Sequence, residues 1–426
     1  MKNWYRLDNA AKFFPAVTTK TNTSVFRLSM ILTETVDSDK LQKAVDIVIG
    51  RFPTLAVKLG KGVFWNYLFE NSNRLMIHEE MEYPCAFIDG YRNNGYLMRI
   101  VYYNHRIGLE VFHGLTDGGG AMEFLKTLIY QYLWLVGKDV KDEGLILLPE
   151  GTPDKLEEED SYLRYYQHAQ DEKFQPQKLE KAYSIKGTIL EPYGINVTHG
   201  VVSASSLNQY ARKMGTTITG YVASVLIQAI YLEGSKHRKI LEPITIGIPV
   251  NLRGIFPSKT LRNFFAGVSV SVYVLPETKF EDIVKEVTRQ MKENITKEGL
   301  SFVIAKNIRY EKMLGARFVP LFIKNRLINY AFKSFEGNAI TMSLSNMGNI
   351  KLSKSMESHI DKMEAVLYPK GEASMNCGMC SVNDRLNITF ARNIVETDII
   401  KQFFGLIYDH TGFDIEVYSN DWGEKK

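Results

Sequence analysis

The sequence predicts an α/β protein with mixed sheets, folded as two lobes of similar size. Three observations carry this reading. Short β-like runs and amphipathic helical stretches intermingle in both halves, without the regular strand–helix alternation of a parallel sheet. A polar stretch over 137–196 separates the halves; it holds Gly151, Pro153, Pro176 and Pro192 and the run Glu157 to Asp160. The composition is 45% apolar and 23% charged over 426 residues, which is ordinary for a globular chain and excludes wholesale disorder. A chain of this length corresponds to about two or three domains and can bury large cores without staples. We place one lobe at 1–175 and the other at 197–426.

In the first lobe, Ser24 to Leu32 reads as a strand. Ser38 then caps a helix whose apolar residues Leu41, Ala44, Val45 and Val48 recur at helical spacing. Short β-like runs follow at 54–58, 63–69, 96–103 and 107–113. The last two are joined by Asn104, His105 and Arg106, a hairpin-length connection. A long helix spans 118–136. The crossover is solvated, with a helix near 160–170.

The second lobe repeats this grammar. A strand at 198–204 precedes helices at 207–214 and 220–232, the second apolar enough to be buried on most sides. Strands follow at 243–250 and 266–274, then helices at 279–296, 301–314 and 317–332. Strands at 339–345, 364–368, 373–382 and 386–392 lead to a last helix at 397–408.

Charge and cysteine content narrow the function. Lys plus Arg number 52 and Asp plus Glu 48, a net charge of +4, so neither a nucleic-acid footprint nor an acidic tail is expected. Cys85, Cys377 and Cys380 exclude a disulfide framework. Cys377 and Cys380 form a CxxC, but no second pair or nearby His completes a zinc site, so two cysteines on a half-buried strand are expected and no metal. The N-terminus lacks a charged segment followed by an apolar run, and the apolar stretches near 124–137 and 220–232 are too short for a bilayer. A soluble, cytoplasmic protein is expected. The P-loop, the GxSxG elbow, HExxH and the dinucleotide-binding glycine pattern are all missing.

One chemical unit remains: His113-Gly114-Leu115-Thr116-Asp117-Gly118-Gly119-Gly120. His113 ends an apolar strand, and Asp117 stands where the next helix needs an acceptor for its free N–H groups. The glycines permit close approach to the backbone. An Asp four residues on, across a tight turn, can fix the loop that aims the imidazole. A general base must be neutral at working pH and oriented, and this arrangement suits one. The residues alone equally suit a hydrogen-bonded turn histidine. His410 and Asp414 give a second HxxxD, but Ile415 follows and the string lies past a terminal helix.

The strand–HxxxDG–helix unit resembles the active-site motif of the chloramphenicol acetyltransferase-like superfamily. That group includes condensation domains, plant HxxxD acyltransferases, wax ester synthases and alcohol acetyltransferases. Trp4-Tyr5-Arg6-Leu7-Asp8, Arg51-Phe52-Pro53, Gly62-Val63-Phe64-Trp65 and Pro249-Val250-Asn251-Leu252-Arg253 resemble bacterial alcohol acetyltransferases, as does the run Phe256 to Phe265. The resemblance covers nearly the whole chain. It departs at Phe112, where many relatives carry a first histidine, and in lacking the plant DFGWG motif, for which Asp421-Trp422-Gly423 is a poor substitute.

The resemblance implies two lobes meeting along a solvent channel, with an acyl thioester entering from one face and an alcohol or amine from the other. It implies His113 as general base, Gly118 as the motif glycine and Asp117 in a structural pair with an arginine of the other lobe, for which Arg253 is the candidate and Arg262 the reserve. Ser343, Ser345 and Asn346 are oxyanion candidates, although Asn346 and Gly348 also suit a plain strand end. Lys259 and Arg262 could meet the phosphates of the thioester carrier, although Lys259 reads better as a surface lysine. Acyl-CoA is then a co-substrate and no cofactor is permanently bound. The expected function is acyl transfer from acyl-CoA by a monomer. A carrier-protein thioester donor, or a binding protein that keeps the fold without chemistry, are the alternatives.

Overall fold

The computed structural model describes residues 4–166, 180–191, 193–312, 319–331, 339–369 and 373–420. Pro176, Pro192 and Asp421-Trp422-Gly423 lie outside these, as do the ends of the helices expected at 160–170, 301–314 and 317–332.

Three sheets organise the described chain. A small one orders Trp4–Arg6, Asn66–Glu70 and Val57–Lys61. A five-stranded sheet orders Ile360–Leu367, Val25–Leu32, Arg106–Phe112, Met98–Tyr103 and Ile77–Glu79. A seven-stranded sheet orders Phe265–Val272, Ile244–Asn251, Met342–Asn349, Met375–Val382, Arg385–Arg392, Asn196–Ser203 and Glu416–Ser419. The two larger sheets are mixed: Ile77–Glu79 runs parallel to Met98–Tyr103, and Met342–Asn349 runs parallel to both of its neighbours, whereas the pairs on either side of it are antiparallel.

One strand ignores the expected boundary at 175/197. Ile360–Leu367 belongs to the second half of the chain, yet it completes the first-half sheet. It pairs antiparallel with Val25–Leu32, with Ala365 opposite Leu28. The second half therefore donates a strand to the first-half sheet, and receives none in return among the described residues.

Local chemistry sets the ends of the elements. The helix Ser38–Val48 is capped by Asp37, not Ser38: the Asp37 carboxylate accepts the Lys40 N–H at 3.0 Å. The hairpin between Val382 and Arg385 turns through Asn383 and Asp384, both at positive φ, as the tight primed turn requires. The helix Ile218–Ser235, capped by Thr217, is buried along nearly its whole length, as its apolar sequence predicts. No single helix among the described residues is long and apolar enough to cross a membrane.

Two large cores lie on either side of the strand Met375–Val382. Cys377 faces the core around helix Ile218–Ser235, and Cys380 faces the core around helix Gly118–Leu135. The strand is buried on both faces, not half-buried as expected, because the first-half core packs on the side where solvent was anticipated. All three cysteines are free and buried, and no group of three His, Cys, Asp or Glu among the described residues could hold a metal.

Candidate active site

His113 follows directly on the strand Arg106–Phe112, and its N–H donates to the Ser24 carbonyl at 2.8 Å. That bond extends the strand pairing by one residue and brings the imidazole to the sheet end. The Leu115 N–H closes back on the Phe112 carbonyl at 2.8 Å, turning the chain sharply toward the helix Gly118–Leu135. Phe112, in place of a first histidine, is buried and packs edge-on against Phe14.

Asp117 is the N-cap of that helix and does three jobs at once. One carboxylate oxygen accepts the Gly120 N–H at 3.1 Å. The other accepts the Phe264 N–H at 2.7 Å and the Arg253 Nη1–H at 2.8 Å. Arg253 spreads its remaining donors over the Thr260 carbonyl (3.0 Å), the Arg262 carbonyl (2.5 Å) and the Asn251 side-chain oxygen (3.2 Å). This planar fork of donors is what an arginine supplies and a lysine does not. Thr116 adds a bond from its hydroxyl to the Leu261 carbonyl at 2.5 Å. The loop carrying His113 is thus tied to residues 251–264 of the second half.

The imidazole is held on several sides. Its Nδ1 is 3.2 Å from Asn263 Oδ1. The Phe14 ring stacks on it with centroids 4.5 Å apart and planes 11° apart, while Phe26 meets it edge-on and Phe265 at a tilt. Asn263 is itself fully buried, and its Nδ2–H donates to Asp8 at 3.2 Å. Burial pushes the Asp8 carboxyl above the usual aspartate range, although Arg262 and the donors around it pull the other way.

A pocket of about 120 Å³ opens beside the ring, lined by His113, Asp117 and Gly118 from the first half and by Phe265, Ser345 and Met347 from the second. Its remaining wall is largely apolar, with Phe26, Leu28 and residues 365–367 of the donated strand. This volume is smaller than the roughly 300–1,000 Å³ that whole drug-sized ligands take. Arg27 also borders the pocket, but its guanidinium is bound by Glu110 at 2.8 Å and Glu80 at 2.5 Å. Burial alone would raise the Glu110 carboxyl; Arg27 and Arg99 outweigh it and hold the pKa low.

The structure brings His113, Asp117, Gly118, Arg253, Ser345 and Asn346 together around or behind this pocket, and separates the other expected residues from it. Asn346 lines the pocket with its amide engaged: Nδ2 donates to Thr219 at 2.9 Å, and Oδ1 accepts the Gly348 N–H at 2.8 Å. Ser343 lies further down the strand, outside the lining. Arg262 is buried behind the site and donates to the carbonyls of Arg6 and Glu158. Lys259 is exposed and paired with Asp154 at 2.9 Å. Asn263 and Asp8 were not singled out from sequence: both stand in segments that carry the resemblance, but only the fold puts residues 255 apart in hydrogen-bond contact.

No protein-family model matches the sequence, and no curated protein does either. Solved structures do match. Polyketide synthase associated protein 5 from Mycobacterium tuberculosis is 15% identical with a TM-score of 0.61, covering 96% of each chain. The TRI3 trichothecene 15-O-acetyltransferase from Fusarium sporotrichioides is 10% identical with a TM-score of 0.61, covering 96% of this chain and 95% of that one. A variant of the starter condensation domain of rhizomide synthetase RzmA, in complex with C8-CoA, is 12% identical with a TM-score of 0.60, covering 96% and 94%. The chain has the chloramphenicol acetyltransferase-like fold. At these identities the likeness is one of architecture, and chemistry has to be argued from the pocket.

Proposed function

We propose that this protein is an acyltransferase that moves an acyl group from an acyl-CoA thioester to an alcohol or amine, with His113 as general base. The observation that carries the reading is the His113 ring on the wall of a pocket built by both halves of the chain. The chloramphenicol acetyltransferase-like fold supports it, because one neighbour is an acetyltransferase and another holds C8-CoA.

In this reading the acceptor's O–H or N–H gives its proton to Nε2 of His113 as the heteroatom attacks the thioester carbonyl carbon. The tetrahedral intermediate collapses, the C–S bond breaks, and the leaving thiolate takes the proton back from the imidazolium. Charge on the intermediate's oxygen needs a donor in the pocket. Ser345 is the better placed of the candidates, since the amide of Asn346 already serves Thr219 and Gly348. Asp117 and Arg253 touch no substrate in this scheme; they hold the loop. Both pocket walls come from one chain, so a monomer suffices. Direct attack requires no acyl-enzyme.

The test is release of free CoA from acetyl-CoA and longer acyl-CoAs with a panel of alcohols and amines. General-base assistance is typically worth about 10²–10⁴ in rate. His113→Ala should lose activity on that scale. Equal release by the variant, or no release by the wild type across CoA and phosphopantetheinyl carrier donors, overturns the reading. Turnover with carrier donors alone moves the donor from CoA to a carrier protein.

A further inference from the structure

We propose that Asn263 and Asp8 act together as positioning residues that fix the tautomer and the orientation of the His113 ring. The inference rests on the reading of His113 as base, and it adds the device that makes one ring nitrogen the basic one.

The contact between His113 Nδ1 and Asn263 Oδ1, at 3.2 Å, is ambiguous by itself. A neutral imidazole can donate or accept at either nitrogen, and an asparagine amide can be turned over. The surroundings of Asn263 remove the ambiguity. Its Nδ2 lies 3.2 Å from Asp8 Oδ2, and its backbone N–H points at the same oxygen from 3.4 Å. Turning the amide over would set its carbonyl oxygen against a carboxylate oxygen, lose a hydrogen bond, and offer N–H to His113. The Asp8 carboxylate therefore holds Nδ2 on its own side and presents Oδ1 to the ring. An acceptor at Nδ1 selects the Nδ1–H tautomer, which places the lone pair on Nε2.

Asp8 is anchored in turn. Its Oδ1 accepts the Ala11 N–H at 2.7 Å, and the Arg262 guanidinium stands 3.8 Å from Oδ2. Asp8 and Asn263 are 1% and 0% exposed, so water does not compete for these bonds. A few residues on, Phe14 stacks on the ring. One short N-terminal segment thus sets both the plane of the imidazole and its protonated nitrogen.

The last link is an uncharged amide. A carboxylate there would favour the imidazolium, because an opposite charge within about 4–6 Å favours the charged form. The charged groups packed around the segment and the ring are Asp8, Arg262, the Asp117–Arg253 pair and, across the pocket, Arg27 with its partners Glu110 and Glu80, with the Tyr162 hydroxyl beyond, bonded to Phe265. None lies between Asn263 and the ring.

Nitrogen-15 spectra of the histidine rings, with His113→Gln to assign the signal, read the tautomer whether or not the protein turns over. The expected result is the Nδ1–H form in the wild type and its loss in Asn263→Leu. A wild-type Nε2–H ring, or an Nδ1–H ring retained in folded Asn263→Leu, overturns the proposal. If the leucine variant does not fold, Asp8→Asn carries the test, read by the same ring spectra. Without the carboxylate the Asn263 amide is free to turn over, so the ring should no longer be held wholly in the Nδ1–H form. A ring that stays wholly Nδ1–H in folded Asp8→Asn overturns the proposal. A wild type without acyl transfer fails the reading of function, while the tautomer measurement still decides the relay.

Discussion

At the scale of single residues, the site turns on how tightly the HxxxDG loop is locked to the second half. The three consecutive glycines are not equivalent. A methyl group at Gly120 would collide with the Leu261 carbonyl and with the Thr116 hydroxyl, which are themselves hydrogen-bonded to each other. At Gly118 it would meet only the end of the Met347 side chain, 2.7 Å away, which can swing aside. Gly120→Ala should therefore destabilise the fold by about 1–3 kcal/mol, the usual cost of overpacking. Gly118→Ala should cost little stability and act on the pocket instead. Thermal unfolding of the two variants checks the ranking, and equal shifts would refute it. The sequence motif found His113 and Asp117 because their spacing across a strand–turn–helix is local. It led to Arg253 through resemblance. It could not separate Arg262, which looks like a ligand-binding arginine in sequence, from the buried brace that the fold makes of it.

At the scale of elements, the donated strand is the instructive one. Its expected span was 364–368 and its observed span is Ile360–Leu367. Asp361, Lys362 and Glu364 break the apolar pattern that marks a buried strand, so its first half was illegible. Those polar residues have partners that only the fold supplies. Glu364 accepts from Arg106 Nε at 3.1 Å and from the Tyr418 hydroxyl at 2.9 Å, and His199 lies 3.8 Å away. Burial would raise the Glu364 carboxyl, but His199, Arg106 and Tyr418 together hold it at about 2, below its ordinary 4.5. Between those values the unfolded chain binds the extra proton, so the stability this group contributes is present above about 4.5 and is lost as pH falls toward about 2. Glu364→Gln should flatten that part of the acid-denaturation curve. At neutral pH it should cost about 1–3 kcal/mol, because the buried charge-assisted bonds to Glu364 are weakened while the partly buried Arg106 keeps Glu80 as a second partner. Denaturant melts across pH 2–7 measure both effects; an acid limb as steep as the wild type's would rule out Glu364 as a contributor.

At the scale of the whole molecule, the two-lobed plan was legible from composition and element order, but the ownership of strands was not. Periodicity says that a segment is a strand; nothing in 360–367 says that it will pair with residues 25–32, more than three hundred positions earlier. That pairing decides how the molecule holds together. Val25–Leu32 is an interior strand only because Ile360–Leu367 covers its open edge, and its side chains are buried at nearly every position. The bonds that position the site also cross between the halves, from Asp117 to Arg253 and from His113 to Asn263. Residues 1–175 expressed alone would lose all of these together and present an apolar unpaired edge, which templates aggregation. That fragment should show no cooperative thermal transition and should aggregate, although its own sequence contains the HxxxDG unit and the helices on either side of it. A cooperative melt of the isolated fragment would mean that the five-stranded sheet does not need its borrowed strand. The halves would then be separable domains, and the pocket would form only where the two dock.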